Sequence, residues 1–181
     1  MLEKEIKILE IDTDQVIKKL EWFWAEKTFE WFIHDIYYDF PEDSNLKMED
    51  NNRLFRVRKK WEEHIYTIKR KRKEIKKAEN LNAKDEHETE ITDVESFSRV
   101  LEKYGMTKTR EKKKHRISYR LHGIEFDIDK YEDIPALLEI EANRREEIDV
   151  LVEKLELTKN EQMIGWSRSL FAHYGKEYLN F

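Results

Sequence analysis

EKEIKILEI, residues 3–11, alternates: Glu3, Glu5 and Lys7 fall on one face of an extended chain, Ile6 and Ile8 on the other. The pattern recurs along the chain. Arg56 and Arg58 oppose Phe55 and Val57; Lys69 follows Thr67 opposite Tyr66 and Ile68; Glu86, Glu88 and Glu90 line up. Arg116, Ser118 and Arg120 oppose Ile117, Tyr119 and Leu121, with Lys112 and Lys114 extending the polar row. Glu125, Asp127 and Asp129 oppose Ile124, Phe126 and Ile128, and Glu139 and Glu141 oppose Leu138 and Ile140. Strands are therefore expected near 2–11, 28–39, 53–60, 64–72, 85–92, 108–121, 124–131 and 136–142, with a tight hairpin at His122-Gly123. Helices are expected near 13–26 (capped by Thr13), 93–104 (capped by Asp93 and ended by Gly105), 144–156 and 161–174. Residues 73–85 read as a solvated loop.

One wet face of an antiparallel sheet would alternate in this way. Two features point elsewhere. The polar face is almost wholly formal charge, and its signs segregate: acids on the first, fifth, seventh and eighth strands, bases on the third, fourth and sixth. An α+β fold is expected, and if its eight antiparallel strands curl into a β-barrel with the helices packed outside, the charges point into the lumen. Charges inside a barrel require partners or a charged ligand, because desolvating an unpaired ion costs several kcal/mol. Carboxylates suit hard divalent cations and arginine suits phosphate oxygens, so a metal-bound polyphosphate would satisfy both walls.

The bulk composition is consistent with this. The 181 residues are 41% charged, 39% apolar and 12% aromatic, with a net charge of −5; the aromatic content argues against disorder. The expectation is one domain over 1–181, with C-terminal helices at about 144–174. Cysteine is absent, which excludes disulfides, thiolate metal sites and a cysteine nucleophile. The chain shows no membrane-length apolar run and no signal-peptide pattern, so a cytoplasmic protein is expected.

The ordered set Glu3-Lys4-Glu5-Ile6-Lys7 (an ExExK pattern), Tyr37-Tyr38, Arg56-Val57-Arg58, Lys69, Lys114 with Arg116, Asp127/Asp129 and Glu139-Ile140-Glu141 resembles the CYTH domains, or triphosphate tunnel metalloenzymes, along about 140 residues. That family includes class IV adenylyl cyclases, thiamine triphosphatases and inorganic triphosphatases, and its fold is an eight-stranded tunnel. The resemblance implies that Glu3, Glu5, Glu139 and Glu141 bind Mg²⁺ or Mn²⁺ with Asp129 or Asp127 assisting. It also implies that Lys7, Arg56, Arg58, Lys69, Lys114 and Arg116 grip the triphosphate, with Glu3, Glu5 and Lys7 as the catalytic set. Glu88 and Glu90 are read as ion-pair partners of neighbouring bases. Hydrolysis by water at the terminal phosphorus is preferred, since no adenine motif is readable. The alternatives are a cyclase, in which the ribose 3′-hydroxyl attacks the α-phosphorus, and a polyphosphate- or nucleotide-binding module without turnover.

Some residues depart from the family pattern. WFWAEKTFEWF (22–32) lacks the glycine that usually ends the first helix near Trp24, and Asn51-Asn52 stand where relatives often have glycine. Consecutive Trp22, Phe23 and Trp24 span about 200° of a helix surface and cannot share one core. The segment reads either as a helix packed on the barrel with surplus aromatics exposed, or as a homodimer interface around Trp22, Trp24 and Trp31, or as ligand-facing. None of the six histidines has metal-ligand spacing with another. KRKRKEIKK (69–77) reads as a strand end entering a solvated loop; with a net acidic chain, nucleic acid is not the expected partner.

Overall fold

The N-terminal alternation forms strand β1 (Leu2–Ile8), shorter than its pattern because Glu10 takes a left-handed backbone (φ 53°) and turns the chain. The computed structural model describes residues 2–46, 53–71, 82–165 and 167–176. After β1 come α1 (Thr13–Trp22), β2 (Glu26–Asp39), β3 (Arg53–Lys60), β4 (Glu63–Lys71) and β5 (Asn82–Glu90). Then follow α2 (Val94–Lys103), β6 (Thr107–Leu121), β7 (Ile124–Lys130), β8 (Leu137–Ala142), α3 (Arg145–Lys154), β9 (Gln162–Met163) and α4 (Ser167–His173). The class is α+β: a nine-stranded antiparallel sheet with four helices among the described residues.

The strands run β5-β4-β3-β2-β6-β7-β8-β1-β9, and β1 also pairs with β5. One edge of β1 meets β8 from Lys4↔Ala142 to Ile8↔Leu138; the other meets β5 over Leu2–Glu5 and β9 at Lys7 and Ile8. The strand count corrects the expected eight. β9 lies within 161–174, read from sequence as helix; two residues are too few to show alternation, and their pairing with β1 makes them strand. Only Ser167–His173 of that stretch is helical among the described residues. Of the expected loop 73–85, Asn82–Asp85 is strand instead, paired with Leu2–Glu5; residues 73–81 and Asn51-Asn52 lie outside the described residues.

Helix ends follow local hydrogen bonding. Asp12, not Thr13, caps α1, its carboxylate accepting from the Gln15 N–H at 3.0 Å. Asp93 caps α2 as expected, accepting from Ser96 N–H at 2.9 Å. α1 ends at Trp22, not near 26, in a paired C-terminal motif: Trp24 N–H donates to the Glu21 carbonyl and Ala25 N–H to that of Leu20. The missing glycine leaves Trp24 itself left-handed, φ 62°, an uncommon conformation for a bulky residue. At the β6–β7 hairpin His122 and Gly123 both have positive φ (51° and 80°), as a two-residue type I′ turn requires.

The alternation decides what is buried where. Ile6, Ile8, Phe126, Ile128, Leu138 and Ile140 are at most 1% exposed and pack with Val16 and Leu20 of α1 and Ile148, Leu151 and Val152 of α3. Each such side chain contributes about 1.5–3 kcal/mol by leaving water. A second cluster sets α2 (Leu101, with Val94 and Phe97) against Tyr38 and Val57. The apolar face is thus covered by helices, and the charged face turns away from them. No helix among the described residues is long and apolar enough to cross a membrane.

Candidate active site

The charged face surrounds a cavity of about 420 Å³. Of the residues singled out from sequence, Glu5, Lys7, Arg56, Arg58, Lys69, Lys114, Arg116, Asp127, Glu139 and Glu141 line it. Glu3 lies in β1, opposite Lys84 of β5 in register. Asp129 is fully buried behind the lining. The sheet order explains why signs segregate: acidic β7, β8, β1 and β5 pair in succession, and basic β4, β3 and β6 are contiguous except for the intervening β2.

The two walls are joined by ion pairs where acid and base strands meet. At β6–β7, Arg116 Nε and Nη2 reach the two Asp129 oxygens at 2.6 and 2.7 Å, Nη2 also reaches Glu139 at 2.6 Å, and Nη1 meets Asp127. Lys114 Nζ donates to Asp129, and Ser118 Oγ donates to Asp127 at 2.5 Å. At β4–β5, Arg56 contacts Thr67 (2.9 Å), Glu86 (3.3 Å) and Glu88 (3.2 Å), while Lys69 pairs with Glu86. Glu88 is thus an ion-pair partner, as expected. Asp129, which accepts from both Arg116 and Lys114, orients these bases.

On the acidic wall Lys7 Nζ sits between Glu5 (2.9 Å) and Glu139 (3.1 Å). Burial works to lower its pKa, but Glu139 and Glu5 outweigh that and hold its ammonium above the ordinary range. Burial likewise opposes the charge of Glu139, yet Lys7, Lys114 and Arg116 keep it well below the usual carboxylate range. Lys114 goes the other way: burial, with Arg116 beside it, pushes it down to about 7 against the pull of Asp129 and Glu139. Burial raises Asp127, and neighbouring Asp129 and Glu139 add to this against Arg116.

Sequence reasoning missed Asp35. It is fully buried on β2 between the basic strands, bidentate to Arg58 (Nε 2.7 Å, Nη2 3.0 Å) and 3.5 Å from Lys112. Tyr37 O–H reaches it at 3.4 Å. Burial opposes its charge, but Arg58, Arg56 and Lys112 hold it well below the ordinary carboxylate value. A depressed folded pKa supplies stability above the unfolded value that is lost as pH falls. Wild-type stability is therefore expected to drop on acidification below about pH 4, the unfolded carboxylate range, more steeply than that of Asp35→Asn. Urea midpoints of both proteins over an acid pH series check this; parallel acid limbs would contradict it.

The acidic wall also suits a divalent cation. Glu5 lies directly opposite Glu141, Glu141 opposite Glu125, and Glu139 opposite Asp127. Like charges paired across strands repel, and a hard cation with oxygen ligands relieves that. Among the described residues no three acids or histidines are already gathered to hold a metal ion.

No curated protein matches the chain. Its fold is similar to that of a conserved hypothetical protein from Pyrococcus furiosus (TM-score 0.69, 24% identity, covering 88% of this chain and 94% of that one). It is also similar to an adenylate cyclase candidate from Vibrio parahaemolyticus (0.72, 15%, 95% and 98%). A third similar structure is the adenylyl cyclase candidate HpAC1 from Hippeastrum, reported to have a dominant triphosphatase activity (0.59, 14%, 97% and 96%). The CYTH domain pattern matches residues 1–169, and with the charged cavity this places the chain in the CYTH domain family.

Proposed function

We propose that the chain is a metal-dependent triphosphatase acting on inorganic triphosphate or a nucleoside triphosphate. The observation that carries this reading is a cavity with carboxylates on contiguous strands and guanidinium and ammonium groups facing them. In this reading the β1–β5 pairing closes the sheet into a tunnel around the substrate.

Glu3, Glu5, Glu139 and Glu141, with Asp127, would hold Mg²⁺ or Mn²⁺, which supplies charge neutralisation and a more acidic bound water. Arg56, Arg58, Lys69, Lys114 and Arg116 take the phosphate oxygens, and phosphoryl transfer is chiefly positioning and charge stabilisation. Their ion pairs keep them oriented before the substrate arrives: Asp35 aims Arg58, and Asp129 aims Arg116 and Lys114. Lys7 holds Glu5 and Glu139 in place and carries a positive charge toward the terminal phosphate. Covered groups at the Lys112–Ser167 end keep bulk water from competing for these contacts.

Orthophosphate released from inorganic triphosphate or ATP only when Mg²⁺ or Mn²⁺ is present is the expected result. Release that persists in EDTA, or no release with either ion, counts against the proposal.

A further inference from the structure

The charged cavity is covered at one end and open at the other. Asp35, Lys112 and Lys114 are buried where the Ser167 hydroxyl meets Lys112 Nζ at 3.0 Å. At the opposite end the Arg120 and Glu125 side chains are about half exposed, 56% and 49%.

Two tryptophans stand at the open end. Trp31 lies opposite Arg116 in the β2–β6 register, two residues before Ile33, which lines the cavity. Trp61 follows Lys60, another lining residue, in the turn between β3 and β4. Their rings stack, with centroids 5.7 Å apart and planes 26° from parallel. Both remain exposed, 51% and 60%. Trp61 also has φ 57°, at a turn position where glycine is the comfortable residue. A bulky aromatic is therefore held there against its backbone preference while filling no core, the kind of strain that clusters at ligand sites. Trp22 and Trp24 are exposed too, 75% and 90%, but they stand at the C-terminal end of α1, which packs on the opposite, apolar face of the sheet.

We infer that the Trp31–Trp61 pair is a stacking platform for the base of a nucleoside triphosphate whose phosphates occupy the cavity; this rests on the triphosphate reading above. Trp31 stands four residue steps along β2 from Asp35, the partner of Arg58, about 13 Å at 3.3 Å per residue. Ribose and a phosphate chain bridge such a span. With the inner end covered, the phosphates go inward and the organic group is left at the mouth, against the aromatic faces. Stacking accepts any base, since each has a π-face. The platform therefore favours nucleotides over inorganic triphosphate without choosing among bases.

The test is calorimetric titration of ATP and of inorganic triphosphate in EDTA, where turnover does not consume the ligand. The double variant Trp31→Ala/Trp61→Ala is expected to lose about tenfold or more in ATP affinity, and to bind inorganic triphosphate as the wild type does. Trp31→Phe/Trp61→Phe, which keeps the π-faces, should retain most of the ATP affinity. Equal loss for both ligands, or no loss for ATP, overturns the platform and leaves the triphosphate site standing. Failure of the wild type to bind inorganic triphosphate, in EDTA and again with Mg²⁺ restored, overturns the site and the platform together.

Discussion

Arg116→Ala is expected to lower the unfolding free energy by about 3–5 kcal/mol, read from urea denaturation, because it leaves buried charge uncompensated. Arg116 is 9% exposed and touches Asp129, Asp127 and Glu139. Asp127 and Glu139 already face each other across β7 and β8. Without the guanidinium, Lys7, Lys114 and Lys112 are the cations that still act on Glu139, and Lys7 is shared with Glu5. Burial disfavours the ionised carboxylates, so the loss follows from the neighbours left behind more than from the arginine itself. Arg116→Lys restores a charge but not the planar fork that reaches two carboxylates at once, and recovers only part of the loss. A loss below about 1 kcal/mol, the level of an exposed ion pair, would show that this seam is not structural.

Glu5→Gln is expected to reduce triphosphate hydrolysis by about 10²–10³-fold, the scale for removing one group that stabilises transition-state charge. The substitution is nearly isosteric. The amide oxygen still accepts from Lys7 Nζ, now at 2.9 Å from the carboxylate, so the urea midpoint should move little. The negative charge opposite Glu141 is lost, and with it part of the attraction for a divalent cation. Raising Mn²⁺ should therefore recover part of the rate in the variant, while the wild type is already saturated. A full rate at low metal would remove Glu5 from the metal set. A reduced rate that metal never rescues would place its role elsewhere, in holding Lys7.

Much of this site was legible because a strand's period of two assigns faces without knowledge of the fold. That rule alone set Lys7 and Arg116 on the cavity side and Ile6 and Phe126 against the helices. Segregation of charge by strand was legible too, although only the sheet order shows that like strands are neighbours. Asp35 was hidden because the inward face of β2 reads Trp31, Ile33, Asp35, Tyr37, a row without repeated charge. The pairing of Arg56 with Glu86 and of Arg116 with Asp129 depends on which strands adjoin, which one strand's pattern does not encode. β9 was missed because pairing with β1, not local preference, makes it extended. The shift of the α1 cap to Asp12 is a one-residue choice between two capping side chains, settled by the bond to Gln15.

The most direct measurement is phosphorus NMR of the purified protein with Mg²⁺ or Mn²⁺, offered inorganic triphosphate and ATP in parallel. Orthophosphate appearing from either substrate, with no cyclic nucleotide, is the predicted result and makes water the nucleophile. Pyrophosphate together with a cyclic nucleotide from ATP would make the ribose 3′-hydroxyl the nucleophile and contradict the hydrolase reading. Unchanged spectra from a protein that binds triphosphate would contradict turnover altogether.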